Sequence, residues 1–184
     1  MAVSKVNFVA FDFETTGLYA GQDSIVEFGA VKFLNAQVLE SFGQLANPGR
    51  QIPADATRVS GITDAMVAGQ PSVASILPEF MRFIGDSVLI AHNAGFDLGF
   101  LRTALDRANL AMPGNLVIDT QALAKKAFPG QKSYSLQNLA IFLKFPPNQA
   151  HRAVDDSLMC MKLFLACADQ LAFMGDITLE EVMC

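Results

Sequence analysis

Strand-like runs followed by alternating helical and strand-like runs predict an α/β domain, a mixed sheet covered by helices. Three observations carry that expectation. The first 45 residues hold three stretches rich in β-branched and aromatic residues. The remainder turns to a helical spacing of apolar residues interrupted by two short apolar runs. Finally, 52% of the chain is apolar against 17% charged, which suits a buried core and speaks against disorder. At 184 residues the expected organisation is a single domain, with a core over about residues 6–173 and a short tail over 174–184.

Val6 to Phe13 and Ile25 to Leu34 read as strands, and Val38 to Leu45 alternates weakly; turn-like residues at Thr15 to Ser24 and Asn35 to Gln37 separate them. Neighbours joined by short turns are expected to pair antiparallel. After Pro48, Asp55 to Ser60 and Asp64 to Ala68 fit short helices. From Ser72 to Ile84 a helical stripe of Ile76, Leu77, Phe80, Phe83 and Ile84 persists despite Pro78. Val88 to Ala91 is a short buried strand, Phe96 to Ala108 a helix with Leu98, Leu101 and Leu105 on one face, and Leu116 to Ile118 a last strand. Thr120 to Ala127, Leu136 to Leu143 and Ala153 to Phe173 complete the helices. No repeat, low-complexity tract or Gly/Ser-rich linker divides the chain.

The 13 Lys and Arg stand against 18 Asp and Glu, a formal charge of −5 with a pI near 4.9. Taken alone, that acidity argues against a nucleic-acid partner, since phosphate binding draws on Lys and Arg. No run of about 18 apolar residues escapes a charge, and no basic n-region with a cleavage site flanks the first apolar stretch, so membrane and secretory classes are excluded and a cytoplasmic protein is expected. The cysteines agree. They number three, and Cys160 and Cys167 on one helix would lie about 10 Å apart along its axis, beyond the ~7 Å a disulfide tolerates; they read as buried thiols of a reducing compartment.

Three short strings carry polar groups suited to chemistry. In Asp12-Phe13-Glu14-Thr15-Thr16-Gly17-Leu18, residues two apart on a strand face the same way, so both carboxylates share one face at the end of an apolar run. In His92-Asn93-Ala94-Gly95-Phe96-Asp97, a strand passes into a helix whose first turn holds Asp97, a place where capping alone favours an acid. In His151-Arg152-Ala153-Val154-Asp155-Asp156, five helical steps of about 100° would leave positions 151 and 156 about 140° apart. His151 is therefore expected in the loop, reaching over Asp156 on the helix. Each string by itself fits an ordinary strand end, helix cap or hydrogen-bonded histidine.

Together they are specific. The chain has only two histidines, and each begins a His-x-Ala-x-x-Asp string where a helix is expected to start. With Asp12-x-Glu14, the pattern resembles the DEDD-type 3′–5′ exonucleases, in the branch with a catalytic histidine that includes the proofreading subunit of bacterial replicative DNA polymerase. The likeness runs from about Val6 to Leu165 and includes Val59-Ser60-Gly61-Ile62-Thr63, where Ser60 stands at a position that relatives often fill with histidine. It implies a ribonuclease H-like fold with a five-stranded mixed sheet flanked by helices. It also implies Asp12, Glu14, Asp97 and Asp156 as metal-binding carboxylates, His151 as general base and Asp155 as a neighbour. Thr15, Thr16 and Leu18 would line the terminal-nucleotide pocket, Ile62 and Phe96 would pack against bases, and Asn93 would touch sugar or phosphate.

Physical chemistry constrains such a site further. Two like charges 4 Å apart repel by about 4 kcal/mol at an effective dielectric of 20, so packed carboxylates must bind cations or take up protons. Oxygen ligands select hard ions, Mg²⁺ or Mn²⁺, two per site under the resemblance; the scattered histidines and cysteines make no familiar zinc set. The resemblance implies single-stranded or frayed 3′ ends of DNA as substrate and a DNA polymerase catalytic subunit as partner; the alternatives are an exoribonuclease of the same family and a polymerase-bound structural subunit whose nuclease activity is secondary. Thr120 to Val154 contains no acid but has Lys125, Lys126, Lys132, Lys144 and Arg152, making +5 against −10 for the remainder. That stretch is expected to form the phosphate-tracking side of the groove.

Overall fold

The computed structural model describes residues 1–146, 151–172 and 177–183. Phe173, where the last long helix was expected to end, and residues 174–176 and 184 of the expected tail lie outside the described residues. Five strands form one sheet in the order β3-β2-β1-β4-β5: β1 (Phe8–Thr15), β2 (Ile25–Leu34), β3 (Gln37–Leu45), β4 (Val88–Ala91) and β5 (Val117–Asp119). β1 to β3 pair antiparallel, while β4 runs parallel to both β1 and β5. The sheet is mixed and five-stranded, the fold class expected from the sequence, and α-helices cover both faces.

Period-two alternation along β1 decides what each face holds. Val9, Phe11 and Phe13 enter a core with Phe28, Ala30 and Leu89, closed by α3 (Val73–Ile84) and α4 (Ala94–Arg107). Phe8 and Ala10 enter the opposite core with Val31, Phe33 and Ile90. It is covered by α5 (Thr120–Ala127), α6 (Leu136–Phe142) and α7 (Ala153–Leu171), with Phe164 of α7 packed against both Phe8 and Phe33. Continuing the alternation, Asp12 and Glu14 fall on the α7 face. A third, small core of Val26, Ile52, Ile62 and Val67 lies beneath α1 (Ala54–Ser60) and α2 (Asp64–Val67).

Local signals explain the helix limits. Thr63, Ser72, Ser135 and Asp119 each accept a hydrogen bond from a backbone N–H in the first turn that follows, and Gly61 ends α1 with φ 72°. Pro78 is tolerated inside α3 because it and Ala74, whose carbonyl it leaves without a partner, are on the exposed side.

Boundaries shift by a residue or two at several elements, and two differences from expectation bear on the site and the core. β1 runs two residues past Phe13, because β2 keeps pairing with it: Glu14 lies opposite Glu27 and Thr15 opposite Ile25 across a bulge. Both acids thus sit inside the strand, held by the ladder. Residues 177–183 of the expected tail are packed: Ile177 and Val182 join the α7-side core, Thr178 bridges Ala2, and Thr178 with Glu181 forms a capping box on α8 (Leu179–Val182). The Thr-x-x-Glu spacing that signals such a box is present in the sequence.

Candidate active site

The site lies at the carboxyl ends of β1 and β4, where the sheet turns from antiparallel to parallel pairing and the following segments diverge. β1 contributes Asp12 and Glu14. α4, starting directly after β4, contributes Asp97 from its first turn. Asp97 does more than favour its own helix turn: its Oδ1 accepts the N–H of Phe13, 3.0 Å away on β1, tying the helix to the strand between the two acids.

His151 precedes α7 with φ 61°, outside the helix as the angular argument required. Its N–H donates to Asp156 Oδ2 at 2.8 Å, and Gln137 Nε2 from α6 donates to Asp156 Oδ1 at 3.1 Å. Among the described residues, Glu14, His151 and Asp156 bring candidate ligand atoms within 4.8 Å of one another. The other histidine is structural: His92 Nε2 donates to Tyr134 O (2.8 Å), and Nδ1 meets Thr120 Oγ1 (3.0 Å).

The electrostatics are those of uncompensated negative charge. Asp12 is pushed well above the ordinary carboxylate range by burial and then by Asp97, Glu14, Asp156 and Glu27. Glu14 rises to about 8 through burial, Asp156, Glu27 and Asp97, against the lowering effect of Arg152. Asp97 rises to about 7 by burial, despite the Phe13 N–H that favours its charged form. Such a set of hard oxygen donors fits a divalent cation, which would replace the protons.

A pH dependence follows for the metal-free protein. Acids whose folded pKa lies above the unfolded value bind more protons when folded, so stability falls as pH rises from the ordinary carboxylate range, near 4.5, through about 8 for Glu14. Thermal melts in EDTA should decline across that window, and saturating Mg²⁺ should flatten the decline. A melting temperature that rises with pH in EDTA would contradict the burial of these acids.

Beside Glu14 opens a cavity of about 560 Å³, bounded by Phe13, the Thr15–Tyr19 turn, Val59 and Phe96. Asp23, not singled out in the sequence, organises the turn: Oδ1 accepts from Thr16 Oγ1 (3.1 Å) and Oδ2 from the Tyr19 N–H (3.0 Å). Gly17 leaves room for that carboxyl: a Cβ would meet it at 2.5 Å and push Asp23 out of these bonds. Thr15 and Thr16 line the cavity, though their hydroxyls already donate to Gly17 O and Asp23. Leu18, 75% exposed, and the half-buried Phe96 offer apolar surface.

Ile62 does not. It is fully enclosed by Val26, Ile52 and Val67, so the expectation that it packs against a base is corrected: α1 and α2 use it as their core. Ser60 is likewise spent on local structure, donating to Ala56 O and accepting from the Ile62 N–H. Asn93 is exposed at the start of α4 with φ 62°, its N–H held by Asp119 Oδ1.

Glu27 is the residue that sequence reasoning missed. On β2 opposite Glu14, its buried carboxylate is gripped by the Arg152 guanidinium, with Nη2 to Oε1 at 2.7 Å. Its only signal was an acid within the apolar run Ile25 to Leu34. Arg152, expected among the phosphate-tracking cations, is thereby committed to Glu27. Lys126 is also engaged, donating to Glu181 O, whereas Lys125 lies over the Tyr134 ring and Lys132 is exposed nearby in the chain.

The family model described as Exonuclease (RNase_T) matches residues 9–164. The chain is 44% identical over 161 residues to the DNA polymerase III subunit epsilon of Treponema pallidum, covering 86% of this chain and 75% of that protein. It is 38% identical over 190 residues to a putative bifunctional exonuclease/endonuclease protein of Mycobacterium tuberculosis, of which it spans 30%, and 41% identical to a PolC-type DNA polymerase III of Clostridium perfringens, of which it spans 10%. Among solved structures, exonuclease X in complex with 5′-overhanging duplex DNA aligns with a TM-score of 0.74 and 27% identity over 96% of both chains. Escherichia coli exonuclease I with a dA16 oligonucleotide aligns at 0.79 over 90% of this chain and 41% of that one, but at 17% identity shows the fold alone.

Proposed function

Because the chain belongs to the RNase_T exonuclease family, we propose that it removes nucleotides one at a time from single-stranded or frayed 3′ ends of DNA, releasing nucleoside 5′-monophosphates with two Mg²⁺ or Mn²⁺ ions. Convergence of Asp12 and Glu14 from β1, Asp97 from α4, His151 from just before α7 and Asp156 from its first turn supports this above all else.

Asp12, Glu14, Asp97 and Asp156 would hold the ions, whose chemistry when bound is to neutralise the scissile phosphate and acidify an attacking water. His151 receives the water's proton; its ring is exposed, and its backbone is fixed by Asp156. The terminal base enters the cavity between Leu18 and Phe96, where contact with a base face discriminates little between bases. Asn93, at the mouth of α4, is the proposed sugar or phosphate contact. The names of the Treponema and Clostridium relatives favour a DNA polymerase catalytic subunit as partner and a proofreading role. Among the described residues, no helix is long and apolar enough to cross a membrane.

Strands labelled at the 3′ or 5′ end, as DNA and as RNA, incubated with Mg²⁺, Mn²⁺ or EDTA, test this. A one-nucleotide ladder receding from the 3′ end of DNA, dependent on metal, is expected. Faster RNA degradation would make it an exoribonuclease, and internal cuts or cleavage in EDTA would overturn the mechanism.

Binding charge follows a narrower path than the sequence suggested. Lys125 and Lys132 flank Tyr134, whose carbonyl accepts from His92 and Gln121, while Gln137, further along the same segment, reaches Asp156. Replacing Lys125 and Lys132 with Gln should therefore weaken single-strand binding and make log K less steep against log salt, by about 0.7 for each phosphate no longer neutralised. An unchanged slope in a filter-binding titration would place the backbone elsewhere.

A further inference from the structure

Glu27 and Arg152 play no part in the proposed chemistry, yet both are built into the site. Arg152 Nε lies 3.2 Å from both Glu27 oxygens and Nη2 2.7 Å from Oε1, a two-pronged pairing, and Oε2 also accepts the Ala153 N–H at 3.0 Å. The Glu27 side chain is 6% exposed. Two residues along β2, on the same face, Gly29 lets the first turn of α7 rest directly on the sheet: a Cβ there would meet the Ala153 carbonyl carbon at 2.0 Å and its oxygen at 2.3 Å. Gly43 on β3 leaves room in the same way for Val154, whose Cγ2 a Cβ would meet at 2.7 Å.

His151 immediately precedes this seat in a left-handed conformation that non-glycine residues adopt only when held. Three side chains do the holding. Asp156 binds the N–H of residue 151, Glu27 binds that of residue 153, and the Arg152 side chain closes the span between them. In register, Glu27 lies opposite Glu14 and Gly29 opposite Asp12, so the clamp is referenced to the strand that carries the two acids.

We propose that Glu27 and Arg152 are positioning residues, an ion pair seated beside Gly29 that holds the backbone from His151 to Ala153 and so sets the imidazole against Glu14 and Asp156. This rests on His151 as the base. The pair acts through geometry: Arg152→Lys keeps the charge but gives up the fork.

The test compares Arg152→Ala and Arg152→Lys, each with and without His151→Ala, on 3′-labelled DNA. Mn²⁺ affinity is measured by calorimetry, and the side-chain NMR signals of the chain's two histidines are followed in metal-free protein. Arg152→Ala should lower kcat about 10–100-fold, the usual cost of losing a group that orients a site residue, with KM and Mn²⁺ affinity nearly unchanged. It should shift the His151 ring signals but not those of His92, which Thr120 and Tyr134 hold. Arg152→Lys should fall between. In the His151→Ala background, Arg152→Ala should cost nothing further, since residues acting through one group are not additive.

Multiplying effects in that background, or unmoved His151 signals, would overturn the proposal and leave Arg152 a counter-charge. Should Arg152→Ala not fold, Arg152→Lys carries the same cycle. A wild-type protein that degrades no 3′ end would remove the exonuclease reading instead, and the His151 signals would still decide whether Arg152 sets the backbone at His151.

Discussion

His151→Ala is expected to lower kcat by about 10²–10⁴-fold, the usual contribution of a positioned general base, while the protein still binds Mn²⁺ and single-stranded DNA. Its imidazole is exposed and lies within 4.8 Å of Glu14 and Asp156 ligand atoms, so a water activated by a cation held on those carboxylates would have a proton acceptor at hand. The same distance would permit the ring to act as a ligand. Calorimetry separates the two roles, because a base leaves Mn²⁺ affinity intact and a ligand does not. Turnover near wild type in excess Mg²⁺ would exclude His151 as the base.

The second large effect couples stability to activity. Asp12→Asn should reduce kcat/KM by about 10²–10³-fold, the scale of losing one electrostatic element of a preorganised site. In EDTA at pH 9 it should nonetheless raise the melting temperature. Burial and four neighbouring acids oppose the Asp12 charge, and the amide removes that charge while keeping the shape. The advantage should shrink as pH falls and vanish only below the ordinary Asp range, near 3.8, where the carboxyl is protonated in the folded and unfolded states alike. Adding Mg²⁺ should reverse the order, since a ligand that binds only the folded state stabilises it in proportion to its affinity. The decisive comparison is four melting curves, wild type and variant with and without Mg²⁺. A variant less stable than wild type in EDTA at pH 9 would show that the acids do not strain the fold.

Much of this was legible in the sequence. The order of strands and helices was, because alternation and helical spacing are written locally. The strings around Asp12, His92 and His151 carried the site because carboxylates and histidines at strand ends and helix starts are unusual enough in combination to be specific. Errors came where a residue's role depends on a distant partner. Ile62 looked available for a base until α1 and α2 were seen to enclose it. The segment after residue 173 looked like a tail until Ile177 and Val182 were seen inside the core. Arg152 looked like a free cation until Glu27, 125 positions away, claimed it.

The sequence by itself determined the kinds of groups present, their local geometry and the family they belong to. Only the tertiary structure decided the environment of each group. Chain neighbours determine whether residues 12 and 14 share a face, but the pairing of β1 with β2 and the docking of α7 on Gly29 determine what confronts them there. Charge is felt through space over a few ångströms. The raised acids, the seat of His151 and the Glu27–Arg152 clamp are therefore properties of contacts between segments that no local pattern encodes.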